Sequence, residues 1–310
     1  MVKLSIDLPE EFLREETRCG YTISEEMKTL WAVQLDLTVQ LFRICEKHGI
    51  RLYLSSGTIL GAARHQGFIP WDDDIDLTMT REEFDKLCEV APKELKYPYF
   101  FQTEQTDPGS LRGHGQIRRS DTTCILKEEL AGKYGFNQGI FVDIFPLDNI
   151  PDDAGERREF LDQLQYLQRK AIVWAYRSIN YVPGHSSGIK ERIQNVLYPF
   201  FGWVVRTFHI ANPWYRKFEQ LCRKYNDRPT ENVSMLVISY DSERFIWNRE
   251  KLLSGEPVMM PFESLTFPVP YGWEHYLEVS FGDWHEFVIG TSLHGGLIID
   301  GDKPYTEYLK

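Results

Sequence analysis

Cysteine is scarce and poorly placed for cross-linking. The five residues Cys19, Cys45, Cys88, Cys124 and Cys222 are odd in number, far apart and never spaced C-x-x-C, which argues against a disulfide framework and against a thiolate zinc site. Basic charge is also short: 35 Lys and Arg face 46 Asp and Glu, a formal net charge of -11. Such a surface repels a polyphosphate backbone, so a general nucleic-acid binder is disfavoured. Long apolar runs are missing as well. The longest, 196–205, contains Pro199 and Gly202 and is followed by Arg206, about half of what a bilayer-spanning helix needs. It is expected to be a buried helix, with peripheral contact at a membrane interface as the alternative. Residues 1–18 carry acidic side chains and no apolar core of a leader, so no secretory signal is expected and a cytoplasmic location, or the inner face of the membrane, follows. Neither an internal repeat nor a low-complexity segment is visible.

What is present reads as a chain that folds. With 42% hydrophobic and 26% charged residues over 310 positions, it has the composition of a globular protein and room for one large or two ordinary domains. Thr22 and Glu25 are spaced as a capping box. Met27, Leu30/Trp31, Leu37, Leu41 and Ile44/Cys45 then recur at helical spacing as far as Gly49, which predicts an amphipathic helix stopped by that glycine. Residues 50–54 read as a strand, Ser55-Ser56-Gly57 as a turn and 58–64 as a helix opening from it. Beyond Pro70, Ile75, Leu77 and Met79 alternate with Asp74, Asp76 and Thr78, a strand with one polar face. A helix over 81–90 and strands over 99–102, 115–118 and 140–145 follow, the last ending at Pro146. From Asp152 helical spacing dominates, with Asp152 or Asp153 as a cap and a second helical stretch over 189–208 interrupted near Pro199. The fold class is therefore α/β (α+β): a mixed-sheet core with flanking helices over 1–150, and a helical then irregular half over 151–310 packed onto it as one unit.

The chemistry concentrates at Trp71-Asp72-Asp73-Asp74-Ile75-Asp76. On a strand, Asp74 and Asp76 project to one face, where two carboxylates either share a hard divalent cation or repel each other strongly. A calcium loop starting at Asp72 would place Glu83 at its twelfth position, but Leu77 stands where that loop needs glycine and Pro70 breaks the entering helix, so an EF-hand is set aside. About 17 residues earlier, Ser55-Ser56-Gly57-Thr58 opens a helix whose unpaired N–H groups suit a phosphate. A third carboxylate, Asp143, sits between Val142 and Ile144 on another strand. One phosphate turn and three strand carboxylates are the parts needed for metal-dependent transfer of a phosphoryl or nucleotidyl group.

The run LSSGTILGAARHQGFIPWDDDID over 54–76 closely resembles the signature of the LicD family, which contains bacterial phosphorylcholine transferases and, more distantly, fukutin-type ribitol-phosphate transferases. GIFVDIFPLD over 139–148, Val269-Pro270-Tyr271-Gly272, Tyr276-Leu277 and Phe281-Gly282-Asp283-Trp284 extend the likeness over roughly residues 25–285. Ser56 stands where the family often has glycine, and His285-Glu286-Phe287 replaces a Pro-Pro step.

The resemblance implies a nucleotidyltransferase-like fold and transfer of an alcohol phosphate from a CDP-linked donor, CDP-choline first, to a hydroxyl of a glycan or lipid-linked glycan such as a teichoic-acid or lipopolysaccharide precursor, with release of CMP. It implies Mg²⁺ or Mn²⁺ on Asp74, Asp76 and Asp143, with Asp143 also a candidate general base. Ser56, Gly57 and Thr58 match the phosphate turn, and Arg64 is expected to offset phosphate charge. His65 and Arg118 are further donor-side candidates, and His294 is a candidate in the tail. Asp72 and Asp73 are open between supporting charge and a solvated turn, and Trp71 is expected to close the core. CDP-ribitol or CDP-glycerol as donor, direct use of CTP or ATP, and a non-catalytic binding module are the alternatives. Nothing in the sequence marks a dimer interface.

Overall fold

A computed structural model describes residues 2–130, 134–184, 188–237, 245–290 and 296–309. A short hairpin, β1 (Glu16–Arg18) and β2 (Tyr21–Ile23), leads into α1 (Glu25–His48). The cap of α1 is Ser24, whose side chain accepts from the Met27 N–H at 3.3 Å, and not Thr22, which pairs with Thr17 in the hairpin. Gly49 ends the helix in the left-handed conformation at φ 62°, where a side chain would be strained. There follow β3 (Tyr53–Leu54), α2 (Ser56–His65), β4 (Asp76–Thr80), α3 (Arg81–Glu94), β5 (Tyr99–Gln102), β6 (Gly115–Arg119), β7 (Thr123–Leu126), α4 (Lys127–Leu130) and β8 (Ile140–Asn149).

The strand β8 organises the sheet. On one edge it runs parallel to β4, with Asp76 opposite Asp143 and Thr80 opposite Leu147. On its other edge it pairs antiparallel with β6 from Ile140 to Ile144, then with β9 (Asn232–Ser234) at Asp148 and Asn149. It therefore does not stop at Pro146 as expected. Among the described residues no strand pairs with that second edge between Ile144 and Asp148, where the N–H that proline lacks would point. Outer strands β3, β5 and β10 (Ile246–Asn248) complete a mixed sheet.

The remainder is α5 (Ala154–Tyr176), α6 (Ile189–Thr207), α7 (Pro213–Cys222), α8 (Arg249–Leu253), the hairpin β11 (Val258–Phe262) and β12 (Leu265–Val269), α9 (Trp273–Phe281) and β13 (Leu297–Asp300), which pairs with β7. Asp153 caps α5 by accepting from the Glu156 N–H at 2.8 Å. Helix α6 runs through Pro199 without a break. One cluster of buried apolar side chains reaches from α1 and β8 to Phe160, Phe218, Trp247 and Tyr276, so sheet and helices share a core.

Candidate active site

Helix α1 fixes the acidic segment before β4. Trp31 Nε1 donates to the Asp72 carbonyl at 3.0 Å and Gln34 Nε2 to the Asp73 carbonyl at 2.9 Å. From the other side, the Asp76 N–H donates to Thr58 Oγ1 at 2.9 Å, and the Ser55 N–H to the Asp76 carbonyl at 2.9 Å. The Asp143 N–H reaches the Ile75 carbonyl at 3.0 Å. The carboxylates thus hang from a backbone whose polar groups are already paired, which holds the acidic cluster in place.

Asp72, Asp73, Asp74, Asp76 and Asp143 line one cavity of about 600 Å³, together with Ser56, Gly57 and the cations Arg112 and Arg118. A roomier but more open groove beside Arg51, Asp152 and Arg249 measures about 740 Å³. Among the described residues, the carboxylates able to bring ligand oxygens within 4.8 Å of one another are Asp72, Asp73 and Asp74, and these belong to the smaller cavity. The trio overlaps the sequence expectation at Asp74. The irregular segment before β4 lets consecutive side chains converge, whereas Asp76 and Asp143 face each other across two strands. Asp72 and Asp73 are thereby cavity residues and not a solvated turn. Burial, then the charges of Asp76, Asp72, Asp73 and Asp143, push the Asp74 carboxyl well above the usual range; a divalent cation would relieve that repulsion.

Asp143 behaves oppositely. Burial alone would raise it, but the His114 ring and the hydrogen bonds from His114 and Gln116 outweigh burial and hold it low. His114 Nε2 lies 2.9 Å from Asp143 Oδ1, and Gln116 Nε2 donates to the same oxygen. Arg118 is fully buried, its Nη1 on the Gly139 carbonyl at 2.8 Å and its Nη2 on Gln116 Oε1 at 2.6 Å. Burial and then the neighbouring Arg112 lower its pKa to about 9, which still leaves a cation at neutral pH. Arg112 keeps a buried Nε with no hydrogen-bond partner.

Residues 49–154 match the domain family described as LicD/FKTN/FKRP, nucleotidyltransferase domain. This segment is similar to a LicD-family nucleotidyltransferase domain. Across a longer stretch, 255 residues, the chain is 23% identical to the lipopolysaccharide cholinephosphotransferase LicD of Haemophilus influenzae, covering 81% of this chain and 88% of that protein. Over 40 residues it is 48% identical to the ribitol 5-phosphate transferase FKRP of Homo sapiens and of Mus musculus, 13% of this chain and 8% of each relative.

Within the LicD-type domain, not every residue expected at the site lies there. Ser56 and Gly57 line the cavity; a Cβ on Gly57 would stand 2.9 Å from Asp72 Oδ2. Thr58 is buried and spends its hydroxyl on the Asp76 N–H. Arg64 and His65 sit in the last turn of α2, about 12 Å along the axis from Ser56 at 1.5 Å per residue, and do not line the cavity. Arg64 instead donates to the Glu286 carbonyl and lies over the Phe287 ring, while His65 packs edge-on to Trp71 and Phe287. Trp71 is a wall of the cavity and only half-buried, not a core residue. His294 lies outside the described residues.

Sequence reasoning gave no site role to His114, Gln116, Arg112 or Tyr276. The first two had a signal: His114, just before β6, alternates with Gln116 and Arg118 on it, and alternation puts side chains on one face. Tyr276 had none nearby, for it arrives from α9 to receive the Ser56 N–H at 3.0 Å and pair with Ser55 Oγ at 3.0 Å. That contact steadies Ser56 at its positive φ of 46°, a conformation in which a glycine would be unstrained.

Proposed function

We propose that the protein is a metal-dependent transferase moving a phosphoalkanol, phosphocholine first, from a CDP-linked donor to a hydroxyl of a cell-surface glycan precursor, with release of CMP. The observation that carries this reading is the meeting of Asp74, Asp76 and Asp143 with Ser56 and Gly57 in one cavity. Its support from relatives is the likeness to a cholinephosphotransferase over 88% of that protein's length.

Asp74, Asp76 and Asp143 would hold Mg²⁺ or Mn²⁺, with Asp72 and Asp73 adding negative charge beside them. The ion would supply charge stabilisation for a phosphate under attack. The rest falls to the chain. Asp143 has Oδ1 committed to His114 and Gln116, so Oδ2 is the oxygen left to offer, and its lowered pKa keeps it anionic but makes it a weak base. Arg112 and Arg118 provide positive charge against donor phosphates. Trp71, Phe141, Phe145, Phe245 and Phe281 also line this cavity, and a quaternary ammonium is attracted to ring faces; this favours choline over ribitol or glycerol. The local likeness to the ribitol 5-phosphate transferase FKRP keeps CDP-ribitol as the second reading. Five free thiols fit a reducing cytoplasm.

Thermal unfolding of the purified chain with CDP-choline, CDP-ribitol, CDP-glycerol, CTP or ATP, each with and without Mg²⁺, tests the proposal. CDP-choline at a hundredfold excess over its dissociation constant should stabilise by about 2.7 kcal/mol, only with Mg²⁺ and not in Asp76→Asn. A response to CTP or ATP with no response to any CDP-alcohol would replace transfer by direct nucleotide use, and silence throughout would leave a non-catalytic module.

A further inference from the structure

Helix α6 is turned inside out. Ile189, Ile193, Val196, Leu197, Phe200 and Trp203 recur at helical spacing and each is more than half exposed, whereas the face against the protein is Gly202 and Val205. This orientation is fixed and not a loose fit. A Cβ on Gly202 would come within 2.6 Å of the Ser178 carbonyl, so the two backbones touch, and Arg206 Nη1 donates to the Ile179 carbonyl at 3.1 Å. The buried-helix expectation for 196–205 is therefore corrected: the stripe that should seek a core faces solvent.

The exposed apolar area does not end with α6. A groove of about 530 Å³ between α5 and α6 is lined by Val173, Trp174, Leu197, Phe200 and Phe201, with Lys170 and Arg177 at its rim. Tyr166, Val173 and Tyr176 extend the patch over α5. The charge around it is the reverse of the rest of the molecule. Residues 163–218 hold eight Lys and Arg and a single acidic residue, Glu191, leaving 27 basic against 45 acidic elsewhere. At 100° per residue Lys190 and Arg192 flank the α6 stripe on its two sides, and the Lys170 ammonium lies 5.3 Å from the centre of the Tyr166 ring.

We propose that this face rests on an anionic lipid bilayer, with α6 lying in the interface plane and its apolar stripe in the boundary between headgroups and acyl chains. Aromatic rings on an apolar surface with a basic rim are the chemistry that such a boundary recognises. None of the helices among the described residues is long and apolar enough to cross a membrane, so the contact is peripheral. A second copy docked through the same face about a two-fold axis would bring two basic rims together, which disfavours it as the occupant. The inference uses no residue of the carboxylate cavity and stands apart from the proposed reaction.

Co-sedimentation of the full chain with phosphatidylcholine vesicles, and with vesicles of equal phosphatidylcholine and phosphatidylglycerol, tests it at low salt without any nucleotide. The wild type should bind the mixed vesicles and release them as salt rises. Phe200→Ser with Trp203→Ser should weaken partitioning more than about tenfold, and Lys190→Glu with Arg192→Glu at least about fivefold on the anionic vesicles. Because these side chains are exposed, an unchanged circular dichroism spectrum is expected; should the first pair misfold, Ile193→Ser with Leu197→Ser reads the same stripe. Failure to sediment with either vesicle overturns the proposal, as does equal binding by the stripe variants. A concentration-dependent dimer in sedimentation velocity that dissolves in the stripe variants would assign the face to a second copy instead.

Discussion

Helices α1 and α6 begin from similar material and end in opposite surroundings. Both are long and amphipathic, yet Leu30, Trp31, Val33, Leu37 and Leu41 of α1 are completely buried while the stripe of α6 faces water. The difference lies in what accompanies the apolar residues. Helix α1 carries Gln34 and Asp36 into the interior, where Gln34 holds the acidic segment and Asp36 meets Arg119 at 2.7 Å and the Tyr99 hydroxyl at 2.8 Å. Asp36 is thus bonded to the sheet and Gln34 to the segment before β4, so α1 is locked to the cavity it builds. The flanks of α6 carry cations instead of partners. A periodic apolar stripe thus says that a helix will cover something, and the polar residues beside it say whether that something is its own sheet.

The comparison is broken most severely on the sheet side. Arg81 and Asp148 form a buried bidentate pair at 2.7 and 2.6 Å, and Asn226 donates to the same carboxylate at 2.7 Å. Burial would lower the Arg81 pKa, but Asp148 more than reverses that. Asp148→Ala strands the guanidinium and should cost about 3–5 kcal/mol, read as a lower urea midpoint at unchanged slope. A loss below about 1 kcal/mol would mean that the interior around β8 is wetter than its burial indicates.

An intermediate effect is expected where the two regions meet. Glu104 accepts from the Gly109 and Leu111 N–H groups at 3.0 Å each, in the loop that the Asn180 side chain ties to the end of α5 through the Gly109 carbonyl. Burial pushes its carboxyl up from 4.5 to about 7 despite those two bonds. The folded state then holds a proton that the unfolded chain has released. The stabilisation is complete below about pH 4.5 and is lost as pH rises toward 7, worth about 3 kcal/mol over that window. Urea unfolding of wild type and Glu104→Gln across it should show the wild type losing ground by that amount, and parallel curves would remove Glu104 as the cause.

How much of this was legible in the sequence follows the same division. Local signals were readable where one residue decides the backbone: Gly49 at the end of α1, the Asp152-Asp153 pair at the start of α5, the alternation that makes β4. Boundaries set by neighbours were not. Strand β8 passes Pro146 where, among the described residues, β6 has ended and β9 has not begun, and α6 passes Pro199. At the site, the acidic segment and Ser56-Gly57 were visible as motif. Arg64 and His65 belonged to the same run yet lie a helix length away from Ser56, because contiguity along α2 is distance along an axis. Tyr276 stood in the sequence only as part of the tail likeness, and nothing tied it to the Ser56 N–H it receives, 220 positions away.

The smallest expected effect is the sharpest test of the contrast. Phe200 is 62% exposed, stacked on the Trp203 ring at 5.9 Å at the lip of the α5–α6 groove. If α6 owes its place to Gly202 and Val205 beneath it, Phe200→Ser should shift stability by no more than about 0.5 kcal/mol, because a side chain that is not buried on folding takes little transfer energy with it. A buried phenylalanine truncated in α3, Phe84→Ala, should cost about 3–5 kcal/mol in the same assay. Similar losses from the two would mean that the stripe of α6 is covered by its own chain in solution, and the distinction between a helix that completes the fold and one that presents a surface would fall.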